Sequence, residues 1–302
     1  MTAAPKWGRS AAGPDAGSAA PGAGAAPGPP GRWRAWTLQA LAVCRLELRR
    51  NVAGRRDIPV FLLSMLPVIL FALLLFMPTW EKDPLRGPGF AGMLYAGIFQ
   101  AFMMRFVFFF GCVGIFMNLF RGDLLDRSLH YYFLTPVRRE VIVVGKYLSG
   151  LVTTSLLFGF STAATFLLLR ARYQMVGPPD QTGAPGLGQL AAYLVVTFLA
   201  CVGYGSVFLL MGLFFRSPQI PALAILGWES IIFLLPPFLK RISVVYYLQS
   251  LCPVQVSGGP IEIIAEPSSP AVAVPGILAL TLIALAIAGL RVRRMEVSYA
   301  TE

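Results

Sequence analysis

Long apolar blocks separated by short polar segments dominate the chain. Each of six blocks is about 20 residues or longer, which is the length that a helix needs to cross roughly 30 Å of hydrocarbon. The blocks are continuously apolar instead of alternating, and this pattern predicts helices rather than the strands of a barrel. We therefore predict an all-α polytopic membrane protein with about six transmembrane helices: Ile58–Met77, Met93–Leu119, Tyr147–Leu169, Gln189–Phe215, Ile220–Leu239 and Ala271–Leu290.

The segments around this six-helix domain (58–290) have different patterns. Residues 1–31 are rich in Ala, Gly and Pro and have little to bury, which predicts a disordered tail. Residues 32–57 predict an amphipathic helix lying on the inner leaflet, because one helical face is mainly apolar and basic residues crowd its end. That face consists of Thr37, Leu38, Leu41, Cys44 and Leu48. Residues 291–302 are predicted to form a cytoplasmic tail.

Two finer features bear on packing. The fourth predicted span contains Gly203, Gly205 and Gly212, and small residues allow transmembrane helices to approach closely. The long loop after the fifth span contains apolar stretches at Val244–Leu251 and Ile261–Ala265, which predict short re-entrant or interfacial helices.

Composition and charge sharpen this topology. The 302 residues are 56% hydrophobic and 13% charged, against about 25% charged residues in ordinary globular domains. A net charge of +11 would suit nucleic acid, but eighteen of the 25 basic residues fall on the side of the N-terminus and six in the opposite loops. The positive-inside rule therefore predicts a protein of the cytoplasmic (inner) membrane with both termini in the cytoplasm. The expected partner of the basic residues is membrane lipid, not nucleic acid.

Two charged residues fall inside predicted spans. Arg105 lies near the middle of the second span and Glu229 near the middle of the fifth. Intramembrane charges cost about 2.5–3.5 kcal/mol and usually mark a pathway or a pair. At 1.5 Å per residue their depths differ by roughly 8 Å, which an arginine side chain can bridge. The sequence leaves three roles open: a structural salt bridge, a contact with a substrate or ion, and snorkelling.

The second cytoplasmic loop, Arg121–Lys146, predicts a short amphipathic helix along the membrane surface. Its apolar residues recur at helical spacing, and Pro136 ends that helix and starts the next one. The mixture of charges and aromatics favours a docking surface for a cytoplasmic partner. The periodicity alone is equally typical of a helix that faces lipid.

These features together resemble the permease subunits of type-2 ABC exporters. That family has an N-terminal interfacial helix, six spans and an extended outer loop before the last span. After the second span it has a coupling helix, a Leu-Ser/Thr-Pro-Val-x-Arg turn and a Gly-Lys pair. Here the turn is Leu134–Arg139, the pair is Gly145-Lys146, and Arg127-Ser128-Leu129-His130 replaces the family's Gly-Thr-Leu-Glu.

The resemblance implies a permease that exports a substrate from the cytoplasm when paired with a separate ABC ATPase subunit. A second permease subunit, in a homodimer or a heterodimer, is the other implied partner. ATP and magnesium would bind to the ATPase, because this chain has no Gly-x-x-x-x-Gly-Lys-Ser/Thr sequence and is expected to hold no cofactor. The residues implied for coupling to the ATPase are Arg127, His130, Tyr131, Arg138 and Arg139.

The chain is not expected to be an enzyme. Neither Gly-x-Ser-x-Gly nor His-Glu-x-x-His occurs, and His130 is the only histidine. The four cysteines share no metal or redox spacing, so we expect no metal site. The alternative functions are an ion-coupled secondary transporter, for which inverted repeats and broken helices are typical, and a membrane scaffold that transports nothing.

Overall fold

The computed structural model describes residues 32–53, 58–76, 90–125, 139–176, 185–215, 219–231, 237–240, 242–254, 256 and 268–293. Within these ranges every regular element is a helix, as the apolar pattern predicts. The elements are α1 (Arg32–Ala53), α2 (Ile58–Phe76), α3 (Phe90–Ile98), a π-helical segment (Phe99–Phe108), α4 (Phe109–Leu125), α5 (Arg139–Val176), α6 (Leu187–Phe214), α7 (Gln219–Ile231), α8 (Pro237–Lys240), α9 (Val244–Ser250) and α10 (Pro270–Arg293). The predicted disordered tail lies outside the described residues.

Four helical stretches are long and apolar enough to cross a membrane: Gly92–Leu119, Glu140–Arg172, Leu187–Phe214 and Pro270–Arg293. The first of them runs from α3 through the π-helical segment into α4. Two further helices, Ile58–Leu73 and Ile220–Ile231, are apolar but shorter over the part that is described. The all-helical character is therefore confirmed for the described residues, four of the helices could span a membrane, and the count of six spans stays a prediction.

Helix α5 is much longer than the predicted third span. It has 38 residues, and at 1.5 Å per residue it is about 57 Å long, which exceeds the thickness of a bilayer with its headgroups. The sequence pattern located only its apolar middle, because residues 139–146 and 170–176 are helical without being continuously apolar. Beyond the apolar part, Arg170 Nη1 donates to the Pro185 carbonyl oxygen at 2.6 Å.

The structure describes the predicted fifth span in two parts. Helix α7 is described as far as Ile231, and the short helix α8 is described from Pro237. Two consecutive prolines, Pro236 and Pro237, stand inside the predicted span. Proline lacks a backbone N–H and clashes with the preceding turn, so it ends helices readily and starts them well. The span Ile220–Leu239 therefore stays a prediction over residues 232–236, which the structure does not describe.

Helices α5 and α6 form the centre of the bundle. Helix α5 packs against α1, α2, α4, α6 and α10, and α6 also packs against α4 and α10. All three glycines of the fourth predicted span lie at contacts, which confirms the predicted close packing. A Cβ at Gly205 would lie 2.5 Å from the Phe116 ring, one at Gly212 would lie 2.9 Å from the Met117 carbonyl oxygen, and Gly203 is similarly close to its neighbours.

The apolar stretch predicted at Val244–Leu251 contains the helix α9. Val245 and Leu248 are buried, and the helix packs on α6 and α10, so the protein covers most of it. The loop that follows is fastened to the π-helical segment, because Gln100 Nε2 donates to the Val254 carbonyl oxygen at 2.8 Å. The second stretch, Ile261–Ala265, lies outside the described residues.

Helix α1 uses two different faces. Leu38 and Leu41, from the predicted apolar face, are 60% and 63% exposed. A second face, which includes Val43 and Glu47, packs on α5. The exposed leucines leave an apolar surface that an interfacial helix would turn towards lipid, and that placement stays a prediction.

Candidate functional site

The residues implied for coupling to an ATPase lie almost entirely outside the described part of the chain. Helix α4 continues to Leu125, so the first residues of the predicted amphipathic helix extend the helix of the second span. Arg139 is the first residue of α5, and its side chain is not among those described. The other four, which are Arg127, His130, Tyr131 and Arg138, fall in the undescribed range 126–138. Their role stays a prediction.

Beside this range lies a buried ion pair between α1 and α5. Lys146 Nζ is 2.5 Å from Glu47 Oε1, and the two side chains are 1% and 2% exposed. The same ammonium group donates to the Leu119 carbonyl oxygen at 3.0 Å. A buried charge is tolerated only when it is paired and hydrogen-bonded, and Lys146 satisfies both conditions. One side chain thus joins α1, α4 and α5.

Gly145 explains why α1 can lie so close to α5. A Cβ at this position would lie 2.8 Å from Val43 Cβ and 3.0 Å from the Ala40 carbonyl oxygen. Ala40, Val43 and Glu47 are spaced by three and four residues, so they share one face of α1. The Gly-Lys pair that contributes to the family resemblance therefore has a structural reason here. Gly145 leaves room for α1 beside α5, and Lys146 binds the Glu47 carboxylate on α1.

Two further contacts join the ends of helices at the end of the bundle that contains the Glu47–Lys146 pair. Glu140 in the first turn of α5 forms an exposed ion pair with Arg293 at the end of α10. The Arg291 guanidinium carbon lies 5.2 Å from the centre of the Phe214 ring, which ends α6. The ends of α4, α6 and α10 therefore lie together with the beginning of α5, as alternating spans require. That this end faces the cytoplasm is a prediction from the charge distribution.

The second candidate site contains the two intramembrane charges. Glu229 is buried on α7, and its Oε2 accepts a hydrogen bond of 2.9 Å from the Tyr204 hydroxyl on α6. The backbone N–H of Val245, in the first turn of α9, lies close to this carboxylate. Tyr204 itself is held by Phe109 and Phe208, with ring centres 5.6 and 5.9 Å away.

Arg105 faces this group from the π-helical segment without bonding to it. The guanidinium is close enough to interact electrostatically with Tyr204 and Glu229. Its Nε and Nη2 atoms are buried and have no hydrogen-bond partner among the described residues. No direct ion pair joins the two charges in this part of the chain. The structure thus brings Arg105 and Glu229 to one site, and whether they act as a pair or as a pathway stays open.

The π-helical segment divides a run of aromatic residues between two environments. Phe108 and Phe109 are fully buried, whereas Phe106 and Phe110 are 46% and 41% exposed. Arg105 lies at the boundary between these two sides. π-helical turns are rare and occur frequently at functional sites, and nothing in the sequence pattern indicates this one.

Sequence reasoning missed two of the residues that complete these sites. Glu47 is the only acid in α1, which also carries five arginines, and that contrast was an available signal for a buried partner. Tyr204 is one of two tyrosines in the otherwise apolar α6, where a hydroxyl needs an acceptor. The four cysteines are free thiols, and three of them are buried.

The Tyr204 hydrogen bond can be tested by removing only the hydroxyl. Tyr204→Phe leaves the Glu229 carboxylate without this donor, and we expect an unfolding free energy about 1.5 kcal/mol lower, as is typical of hydrogen bonds to charged groups. Tyr193→Phe is the matched control, because the buried Tyr193 hydroxyl has no partner among the described residues. Equal thermal unfolding midpoints for both variants in detergent would contradict the assignment.

No protein-family model matches the chain, and no curated protein matches it. The structure alone therefore defines the class: an all-helical protein with four helices of membrane-spanning length and apolarity, a buried ion pair at one end of the bundle and a charged cluster within it.

Proposed function

We propose that the chain is the transmembrane permease subunit of an ATP-driven ABC exporter, which moves a substrate out of the cytoplasm together with a separate ATPase subunit. The observation that carries the proposal is the junction formed by Glu47, Lys146 and the Leu119 carbonyl oxygen. It lies beside residues 126–138, which resemble the coupling segment of that family.

The junction provides a mechanical route from this segment into the bundle. The segment begins where α4 ends and finishes where α5 begins. Lys146, near the beginning of α5, binds the Leu119 carbonyl oxygen near the end of α4 and the Glu47 carboxylate on α1. A push on the segment by an ATPase would therefore act on α1, α4 and α5 together. Rigid helices joined by buried polar contacts are the elements through which coupling between distant sites travels.

The cluster of Arg105, Tyr204 and Glu229 lies on the helices that such a movement would rearrange. Arg105 precedes α4 in the same long helix, and α4 packs closely on α6 through Gly205 and Gly212. A displacement of α4 would thus move Arg105 relative to Glu229 on α7. A second permease subunit, identical or different, would complete the transport pathway.

The proposal is tested by purifying the tagged chain from its native host in mild detergent and identifying the proteins that accompany it. We expect a stoichiometric ATPase subunit with the wild-type chain and its loss with Arg138→Glu, since charge reversal at a docking surface is strongly unfavourable. Arg172→Glu is the matched control, because it makes the same change near the opposite end of α5.

Two results would contradict the proposal. One is a well-folded chain that yields no ATPase even after crosslinking in the membrane. The other is an ATPase that remains bound equally well to Arg138→Glu. In the first case an ion-coupled transporter or a scaffold would become the leading interpretation, and Arg105 and Glu229 would be the residues to test in ion-flux measurements.

A further inference from the structure

We propose that Arg105 is the recognition residue of a binding site for an anionic group, a carboxylate or a phosphate, carried on an amphiphilic molecule at mid-bilayer depth. The identification of this molecule as the exported cargo rests on the function proposed above. The binding site itself is inferred from the geometry of Arg105, Tyr204 and Glu229 and is tested without the ATPase.

The first argument is the arrangement of the unpartnered donors of Arg105. Its Nε and Nη2 atoms are the two nitrogens along one edge of the planar guanidinium, and both are buried without a hydrogen-bond partner among the described residues. Their N–H groups point in parallel and match two oxygens of one carboxylate or phosphate. The site thus offers an unused bidentate fork, which is specific for a planar or tetrahedral anion.

The second argument is that Arg105 has neither of the two usual partners of an intramembrane arginine, which are the lipid headgroups and a paired acid. Arg105 lies at the middle of the 28-residue apolar stretch Gly92–Leu119, so its side chain is too short to reach either headgroup region. Among the described residues Glu229 is the acid that faces it, yet the Glu229 carboxylate is hydrogen-bonded to Tyr204 instead. The bundle therefore holds a cation at mid-depth, two of whose donor atoms make no hydrogen bond to the described residues.

The third argument concerns access. Helix α7 covers the site with Glu229, and its large apolar residues Ile220, Leu223 and Ile231 are 73%, 67% and 53% exposed. Of its described side chains, Pro221, Ala222 and Glu229 are buried, and Ile225 and Leu226 are partly buried against the core. A helix with so large an exposed apolar surface and one hydrogen-bonded carboxylate at its buried side is the element whose displacement would admit a ligand from the bilayer. Glu229 would then exclude anions until α7 moves.

The ligand must also be compatible with an apolar surrounding. Phe106, on the turn next to Arg105, is 46% exposed and stacks towards Phe102 and Phe110, with ring centres 6.2 and 6.4 Å away. An anion that reaches this depth needs an apolar body to make the transfer favourable. A bilayer lipid and a water-soluble amphiphile both have this chemistry.

The test is the binding of radiolabelled dodecyl phosphate to the purified full chain in phosphatidylcholine nanodiscs, measured by scintillation proximity. We expect saturable binding to the wild type and affinity lower by about tenfold or more for Arg105→Gln, with Arg105→Lys in between because lysine lacks the planar fork. At a pH at which the Glu229 carboxyl is ionised, Glu229→Gln should bind more tightly, since it removes a competing negative charge. Phe106→Leu is the control, because it changes a neighbouring residue and leaves the Nε and Nη2 donors of Arg105 in place.

Competition then identifies the source of the anion. Replacing part of the phosphatidylcholine by phosphatidylglycerol should reduce dodecyl phosphate binding if a membrane lipid is the ligand. Competition by a free alkyl carboxylate but not by phosphatidylglycerol would indicate a soluble amphiphile. Either pattern of competition supports anion binding by the Nε and Nη2 donors of Arg105, provided that Arg105→Gln abolishes the competed binding.

Thermal unfolding separates this site from a purely structural role. Because the Nε and Nη2 donors of Arg105 make no hydrogen bond within the described residues, we expect Arg105→Gln to unfold at the wild-type temperature or above it. Glu229→Gln should unfold at a lower temperature, because it changes a hydrogen-bonded side chain. The proposal is wrong if the wild type shows no saturable binding, if Arg105→Gln binds equally well, or if Arg105→Gln destabilises as much as Glu229→Gln. If the chain binds the anion saturably through Arg105 but never captures an ATPase, the proposal of an ABC exporter is wrong and the proposal of an anion-binding site at Arg105 is supported.

Discussion

Replacing Lys146 by methionine is expected to lower the free energy of unfolding by about 3–5 kcal/mol, the usual cost of breaking a buried ion pair from one side. Methionine fills much of the same volume, so the loss is electrostatic rather than a cavity. The buried carboxylate of Glu47, 2% exposed, would lose this ammonium partner, and the Leu119 carbonyl oxygen would lose a donor. The thermal unfolding midpoint of the purified chain, read from its size-exclusion peak after heating, measures the effect.

A double variant and an exposed ion pair provide the controls. Glu47→Leu combined with Lys146→Met should recover most of the lost stability, because apolar replacement of both partners of a buried pair is often neutral or better. Arg293→Met removes the pair with Glu140, whose side chains are 59% and 36% exposed, and should cost only about 0–1 kcal/mol. If Lys146→Met and Arg293→Met destabilise equally, the pair with Glu47 does not hold α1 on α5.

The positions of most helices can be predicted from the sequence because a segment that crosses a bilayer needs only a sufficiently long apolar run, which the sequence shows directly. A continuous apolar run of sufficient length must be helical, and its ends are set where polar residues begin. The prediction Gln189–Phe215 therefore agrees closely with α6, Leu187–Phe214, and Ala271–Leu290 lies within α10. For α5 the same argument located the apolar middle and missed both ends, since a helix can continue outside the bilayer on its own hydrogen bonds.

The departures from the prediction arise where tertiary contacts or backbone geometry override the apolar pattern. Hydropathy treats Ile220–Leu239 as one block, and it does not measure the backbone hydrogen bonds on which the proline pair at 236 and 237 acts. The π-helical segment changes which residues share a face without changing composition, so its effect on Arg105 was not predictable from helical periodicity.

The sites were predictable only in part, because charge marks a candidate but not its partner. Arg105 and Glu229 were identified from their depth alone, and the structure adds Tyr204 as the residue that binds Glu229. The pairing of Glu47 with Lys146 joins residues 99 positions apart, and a single sequence contains no information on such a distant contact.

Replacing Gly212 by valine is expected to separate α4 from α6 and to lower the unfolding free energy by about 3 kcal/mol, at the upper end for overpacked sites. A Cβ at Gly212 would lie 2.9 Å from the carbonyl oxygen and 3.1 Å from the Cα of Met117. These atoms belong to the backbone of α4, which cannot turn away as a side chain can. In a bilayer, close van der Waals packing replaces the hydrophobic effect as the force between helices, so the contact is expected to be important.

Gly188→Val in the same helix is the matched control, because a Cβ there would have no neighbour within 4 Å. It should leave the thermal unfolding midpoint nearly unchanged, while Gly212→Val lowers it clearly. The spacing can be read directly by placing spin labels on exposed residues of the two helices, such as Phe110 on α4 and Phe198 on α6, and measuring the distance between them. An unchanged distance distribution in Gly212→Val, with an unchanged midpoint, would show that α4 and α6 do not pack as closely as Gly212 and Met117 require. Because Met117 lies two residues before Leu119, which accepts the Lys146 hydrogen bond, a displaced α4 should also weaken the attachment of α1.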